Sequence, residues 1–429
     1  MIIKKTVKIP VHFEATKTKI NILDNLTARI TFHIRLISGL ITEETKLDRT
    51  TIRKLVNNSN IPEITGLSYG FRDQCIDKLI WAWKSYRQKH IQWEKKVKRL
   101  EKQIVVIKER SPLDEKALDK KEKSFKKLLK TEPSRPTFHD KTPCRIDYRT
   151  GRVERSDSRL SALWIHVSTL EKNKTIDIPL NPGHYHLSQL KDAEIGDFEI
   201  IKRNRKYCIH ISITKEIKNQ AISSIGGIDQ GLNKSIAAVL LIEPFPREEQ
   251  LLDSAKVELL EKYDDIVSSL QEAKKWDKLR ELRNKRENVS IYHDWCLAKQ
   301  VARFTEGSYI AIGNSNFRQT QIRGNGNPTL RKRVGKWSYA RQRTFIALKR
   351  AELGYPTEFQ NERNTSRKCH SCKSMHTTRK WGEGYSYILC HDCGLKIDAD
   401  INAGYNIAIQ CRDDRLKVQM NMEKTHASA

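Results

Sequence analysis

The first residues, MIIKKTVKIPVHF, alternate apolar and polar positions as a half-buried strand does, and residues 1–24 read as one or two strands. From about 25 to 132 the period lengthens to three and four. Phe71, Cys75, Leu79, Trp83 and Tyr86 then fall on one face of a strongly charged helical run. The three prolines of KTEPSRPTFHDKTPC end that run. Between 144 and about 215 the texture returns to short β-rich segments, ALWIHVSTL, KTIDIPL and FEIIKRNRKYCIHISITKEI, broken by the turns NPGH and RNRK. A small barrel built from these and the N-terminal strands, with the helices inserted between them, is the expected arrangement.

After the linker KEIKNQAISS the pattern changes again. IGGIDQGLNKSIAAVLLIE reads as a strand, a tight turn and a second strand, followed by a charged helical stretch from about 250 to 305. The apolar residues at 309–313 predict another strand. A Gly-, Asn- and Arg-rich loop, the helix KWSYARQRTFIALKRAELG closed by Gly354, a further strand, a cysteine-rich segment and a final helix from about 400 come next. Strands alternating with helices predict an α/β sheet. The last residues, NMEKTHASA, read as a disordered tail.

Length and charge add a class. The 429 residues suffice for two to four domains. Lys and Arg outnumber Asp and Glu by 80 to 52, a net charge of +28, which favours a polyanionic partner such as nucleic acid. Trp81, Trp83, Tyr86 and Trp93 lie among lysines and arginines, a mixture that suits base stacking but equally suits core aromatics beside a solvated face. No apolar leader region opens the chain, and no stretch reaches the roughly 18 apolar residues that span a bilayer. A soluble intracellular protein without a membrane partner is expected, so the nine cysteines should be thiols or metal ligands rather than disulfides.

Four of those cysteines are patterned. CHSC and CHDC supply Cys369, Cys372, Cys390 and Cys393, two knuckles with seventeen residues between them. Four thiolates so spaced bind Zn²⁺ tetrahedrally in a ribbon whose hairpin is RKWGEGYSYIL. With no open coordination position, such a zinc organises structure rather than catalyses. Cys75, Cys144, Cys208, Cys296 and Cys411 stand apart.

Two carboxylates draw notice. Asp229, in GGIDQG, ends a strand flanked by glycines, where an RNase H-like sheet carries its central metal ligand; an Asp there is also a common turn residue. Asp400, in KIDADINAGYNIAIQC, opens a helix with Ala403 and Ile407 on the following turns, and either it or Asp398 could serve as the cap. Sites of this kind gather several carboxylates around two Mg²⁺ ions about 4 Å apart, one activating water and one steadying the leaving oxygen.

Taken together, GIDQG, a long helical hairpin, TSRKCHSC…CHDCG and DADINAGYNIA resemble, in order and spacing, the C-terminal half of the transposon-encoded TnpB family, relatives of the compact type V CRISPR effector nucleases. The resemblance covers roughly residues 225–410; the N-terminal half resembles the family only in layout. It implies an α+β multidomain protein: a β-barrel wedge domain (1–24 and 133–220) with an inserted helical recognition lobe (25–132). An RNase H-like (RuvC) α/β nuclease domain follows (221–364 and 395–415), with an inserted zinc ribbon (365–394), before a disordered tail (416–429). It also implies an RNA-guided DNA endonuclease of a prokaryotic cytoplasm, associated with the nucleoid. A guide RNA, of the transposon or the CRISPR type, pairs with one strand of double-stranded target DNA beside a short flanking motif.

The family pattern has three acids. Asp229 matches the first and Asp400 the last, but Gly313 stands where a Glu usually ends the strand YIAIGNSN, and Glu306 lies at that strand's wrong end. One reading is a nuclease-inactive relative acting as an RNA-guided, DNA-binding repressor. The other is relocation: Glu362, in PTEFQNERNTSRKC, lies near the end of the next strand, about 4.8 Å away across one strand spacing. A subset of the family looks like this, with glycine at the usual place. Retention of Asp229 and Asp400 favours relocation, with Asp229, Glu362 and Asp400 as the Mg²⁺ ligands. The loop NFRQTQIRGNGNPTLRKRVGKWSYARQR, with eight Arg or Lys, would touch nucleic acid or gate the site. A DNA-strand transposase fits less well, for want of a plausible Tyr–His arrangement.

Overall fold

A computed structural model describes residues 1–59, 67–109, 114–138, 142–203, 206–231, 235–251, 254–314, 331, 334–335, 337–382 and 385–427. The chain divides into two compact units, one of Lys4–Lys215 and one of Glu216–Ala429 with Met1–Ile3, parting inside the KEIKNQAISS linker.

In the first unit, β1 (Ile2–Pro10) is followed by a helix, Lys17–Gly39. The strand expectation for 1–24 therefore holds to Pro10 and fails beyond it. Thr16 accepts a hydrogen bond from the Lys19 amide at 3.4 Å and caps the helix. Leu23, Leu26, Ile30, Ile34 and Ile37 then recur at three- and four-residue steps, all buried. Helices Arg49–Asn58, Tyr69–Lys108 and Glu115–Leu129 follow. The strands β2 (Cys144–Ile146), β3 (Gly151–Arg155), β4 (Leu163–Ser168), β5 (Thr175–Pro179), β6 (Glu194–Arg203) and β7 (Lys206–Glu216) form two open sheets, ordered β1-β7-β6-β2 and β3-β4-β5. Helices and strands share one core, with Ile9, Leu26, Phe71, Leu79, Ile146, Ile165 and Ile209 all in it. Trp83 is buried there and Tyr86 packs beside it, Trp93 donates its indole N–H to the Leu128 carbonyl at 3.0 Å, and Trp81 stays exposed under the Arg145 guanidinium.

In the second unit, β8 (Ser224–Asp229), β9 (Ile236–Leu241), β10 (Arg247–Leu251), β11 (Ser308–Gly313) and β12 (Thr357–Gln360) form one sheet in the order β10-β9-β8-β11-β12. The β8–β9 and β9–β10 pairs are antiparallel, and β8–β11 and β11–β12 are parallel. This is the RNase H-like sheet expected from the sequence. Alternate residues face opposite ways, as the pleat requires. Ile236, Ala238, Leu240, Ile310 and Ile312 pack with Leu297, Val301 and Ile346 from helices Trp276–Phe304 and Tyr339–Glu352. Ala237 and Val239 meet Ile401 and Tyr405, and Ala311 meets Ile407 and Cys411, all four from helix Ala399–Ala427. That last helix continues to Ala427, over residues expected as a disordered tail.

Arg350 is the keystone of this layer. It is fully buried, and its guanidinium donates to the Thr305 and Ser308 carbonyls at 2.7 and 2.6 Å, to Thr357 Oγ1 at 3.0 Å, to the Pro356 carbonyl and to Thr305 Oγ1. It thereby ties the C-cap carbonyl of helix Trp276–Phe304 to the starts of β11 and β12. Burial lowers its pKa to about 10.

Candidate active site and metal centre

The three parallel strands end on the same edge of the sheet, the edge where open α/β sheets hold their ligands. Asp229 is the last residue of β8, Gly313 the last of β11, and Gly313 pairs with Gln360, the last of β12. Glu362 follows two residues later. A Cβ placed on Gly313 would fall inside the Glu362 side chain, overlapping Oε1, Cδ and Cγ at distances no nonbonded atoms adopt. The Glu362 carboxylate therefore fills the space that a side chain on the end of β11 would take.

Asp400 reaches the same edge from the other layer. Helix Ala399–Ala427 crosses β8 at a close approach made by two glycines. A Cβ on Gly227 would strike the Gly404 carbonyl and come within 2.5 Å of the Ala408 amide. A Cβ on Gly404 would meet Val239 Cγ2 at 2.9 Å. Gly404 lies one helical turn after Asp400 and Gly227 two residues before Asp229, so the crossing sets how near the two carboxylates come. Asp398 caps the helix, accepting from the Asp400 and Ile401 amides at 2.8 and 3.2 Å, so the cap is Asp398 and not Asp400.

The electrostatics reflect this convergence. Burial raises the Asp229 pKa well above the ordinary carboxylate value, and the charges of Glu362 and then Asp400 raise it further. Arg379 opposes them; its guanidinium lies 3.8 Å from Asp400 Oδ1. Sequence reasoning missed Arg379, which is one arginine among many and is brought to the edge only by the ribbon hairpin. An all-oxygen set of mutually repelling carboxylates is the donor chemistry of a hard divalent cation. Most of the basic loop from 316 lies outside the described residues.

The four cysteines close up as a tetrahedral site requires. Cys369 and Cys393 sulfurs are 3.6 Å apart and Cys372 and Cys390 sulfurs 3.4 Å, and all four lie within 4.8 Å of one another. Four sulfurs at the usual Zn–S distance of about 2.3 Å stand about 3.8 Å apart, so the set fits zinc. Among the described residues no other group of three or more His, Cys, Asp or Glu is gathered so closely. The two knuckles share one turn. The amide four residues after the first cysteine returns to its carbonyl at 3.0 Å, from Lys373 in one and Gly394 in the other, each with positive φ. Backbone amides of Cys393 and Asp392 lower the Cys390 thiol to about 7. As predicted, β13 (Thr377–Gly382) and β14 (Tyr385–Cys390) form the hairpin, and β15 (Lys396–Asp398) pairs with β14 and runs into the Asp400 helix. Of the other cysteines, Cys75, Cys144 and Cys411 are buried and none is bonded to another.

Comparison with known proteins agrees with the motif resemblance. Residues 339–407 match the family model described as Cas12f1-like, TNB domain. A Cas12f1 seen in complex with single-guide RNA and target DNA superposes with a TM-score of 0.53 at 14% identity, over 95% of this chain and 99% of that one. The C2c1 of Alicyclobacillus acidoterrestris, solved with single-guide RNA, superposes with a TM-score of 0.54 at 8% identity, over 94% and 88%. No curated protein matches the sequence. At these identities the likeness is one of fold.

Proposed function

We propose that the chain is an RNA-guided DNA endonuclease that hydrolyses phosphodiesters at one RuvC-like site. The observation that carries this reading is the seating of Glu362 in the space vacated at Gly313, beside Asp229 and Asp400. A third acid on the edge gives the site the carboxylate count a divalent pair needs, which a repressor has no use for. Asp229, Glu362 and Asp400 are the Mg²⁺ ligands; when bound, the cations supply the electrostatic stabilisation and water activation of phosphoryl transfer. Arg379 offers its guanidinium to a phosphate at the same edge. Cys369, Cys372, Cys390 and Cys393 hold Zn²⁺ and fix the hairpin that carries Arg379 and leads into Asp400. Guide RNA and double-stranded DNA are the partners, in keeping with the complexes that share the fold.

The test is target cutting by the purified protein with its native RNA and Mg²⁺, beside Glu362→Gln. Wild type is expected to cut and Glu362→Gln to lose at least about a hundredfold in rate while still binding target, the scale of one lost electrostatic group. Full cutting by Glu362→Gln would sink the assignment of the third acid. Target binding with no cutting by wild type would favour the repressor.

A further inference from the structure

Two asparagines of the Asp400 helix hold the segment that joins Glu362 to the first cysteine knuckle. Asn402 is fully buried, and its Nδ2 donates to the Thr365 and Lys368 carbonyls at 3.1 and 2.9 Å. Asn406, one turn on, donates to the same two carbonyls at 2.8 and 2.7 Å. Each carbonyl thus accepts from both side chains, one bond for each lone pair. Asn402 Oδ1 accepts from the His370 amide at 3.1 Å, inside the Cys369–Cys372 knuckle. The His370 ring lies 4.2 Å from Tyr405 and nearly parallel to it. On the near side, the Thr365 amide and hydroxyl return to the Glu362 carbonyl at 3.3 and 3.0 Å. A continuous set of bonds therefore runs from the knuckle through Asn402 and Asn406 to Glu362, and the helix carrying both asparagines begins with Asp400.

We infer that Asn402 and Asn406 are positioning residues that couple the two metal centres: zinc at the knuckle fixes the spacing of Glu362 and Asp400 and so sets the affinity of the carboxylates for a divalent cation. The inference rests on the carboxylate reading above. Neither asparagine touches a reacting atom; both act through the backbone they hold. By linkage the coupling runs both ways, so a cation at the carboxylates must also slow the loss of zinc.

Mn²⁺ binding to the full chain, read by electron paramagnetic resonance with zinc content measured alongside, tests it. Asn406→Ala is expected to keep its zinc and its cooperative melt yet bind Mn²⁺ about ten- to a hundredfold more weakly, the usual effect of losing a residue that orients a metal ligand. Unchanged affinity at full zinc content overturns the inference alone. Equal Mn²⁺ binding by wild type and Asp229→Asn overturns the carboxylate reading with it. A second measurement needs no asparagine variant: zinc transfer from wild type to a chromophoric chelator. Mg²⁺ is expected to slow that transfer in wild type and not in Asp229→Asn; equal rates in wild type with and without Mg²⁺ overturn the coupling.

Discussion

Gly313 and Glu362 compete for one volume, which makes their energetics separable. Gly313→Ala should cost the wild-type chain little stability, because the atoms its methyl meets belong to a flexible, half-buried side chain that can turn aside, but should weaken Mn²⁺ binding by displacing the Glu362 carboxylate. In a Glu362→Ala background the same change should leave Mn²⁺ affinity where it stands. Mn²⁺ titration of the four proteins of this cycle gives the coupling directly, and equal losses in both backgrounds would place the Glu362 side chain elsewhere. At this scale the sequence was informative where spacing carries chemistry. The four cysteines are separated by loops of fixed length, and Asp229 and Asp400 sit in motifs whose order is distinctive. Glu362 stood out only as a candidate for an acid missing from its usual place, and the structure adds that its side chain occupies the space beside Gly313. Arg379 and Asn402 were not legible at all, since a lone Arg in a basic chain and an Asn inside a helix acquire their meaning from neighbours distant in sequence.

Elements show the same division between periodicity and context. The sheet, its flanking helices and the ribbon hairpin follow from apolar period and turn residues. The helix at Lys17–Gly39 was misread at its start because TKTKINI (16–22) alternates β-branched with polar residues as a strand does, while the cap at Thr16 and the three- and four-residue recurrence of buried Leu and Ile decide for helix. Arg350 gives the element scale its own test. Replacing it by Met keeps the apolar stem but removes the guanidinium from the Ser308 and Pro356 carbonyls and leaves the Thr305 carbonyl with only the Ser308 amide at 3.3 Å. The expected loss is about 3 kcal/mol or more, since each buried unsatisfied group costs about 1–3 kcal/mol. Urea unfolding followed by circular dichroism measures it. A loss below about 1 kcal/mol would mean that water replaces the guanidinium.

For the whole molecule the decisive quantity is charge. For the proposed guide RNA, a net +28 on 429 residues makes affinity a counterion-release problem. One groove between helices Tyr69–Lys108 and Glu115–Leu129 sets Lys95, Lys98, Arg99, Lys102 and Lys121 around Val106 and Ile107, a charge density suited to a phosphate backbone. Fluorescence anisotropy with the guide RNA across salt concentrations should give a steep negative slope of log affinity against log salt. Arg99→Ala should reduce that slope by about one, with little change in sequence preference. A flat dependence would remove charge as the main source of affinity. Among the described residues no helix is long and apolar enough to cross a membrane.

The contact between Gly313 and Glu362 also constrains ancestry. On this backbone a chain cannot carry a side chain at the end of β11 and keep the 362 carboxylate where it lies, so the two placements of the acid exclude one another sterically. A chain that carried acids at both places would have to turn one of the two side chains away from the edge before the other could settle there.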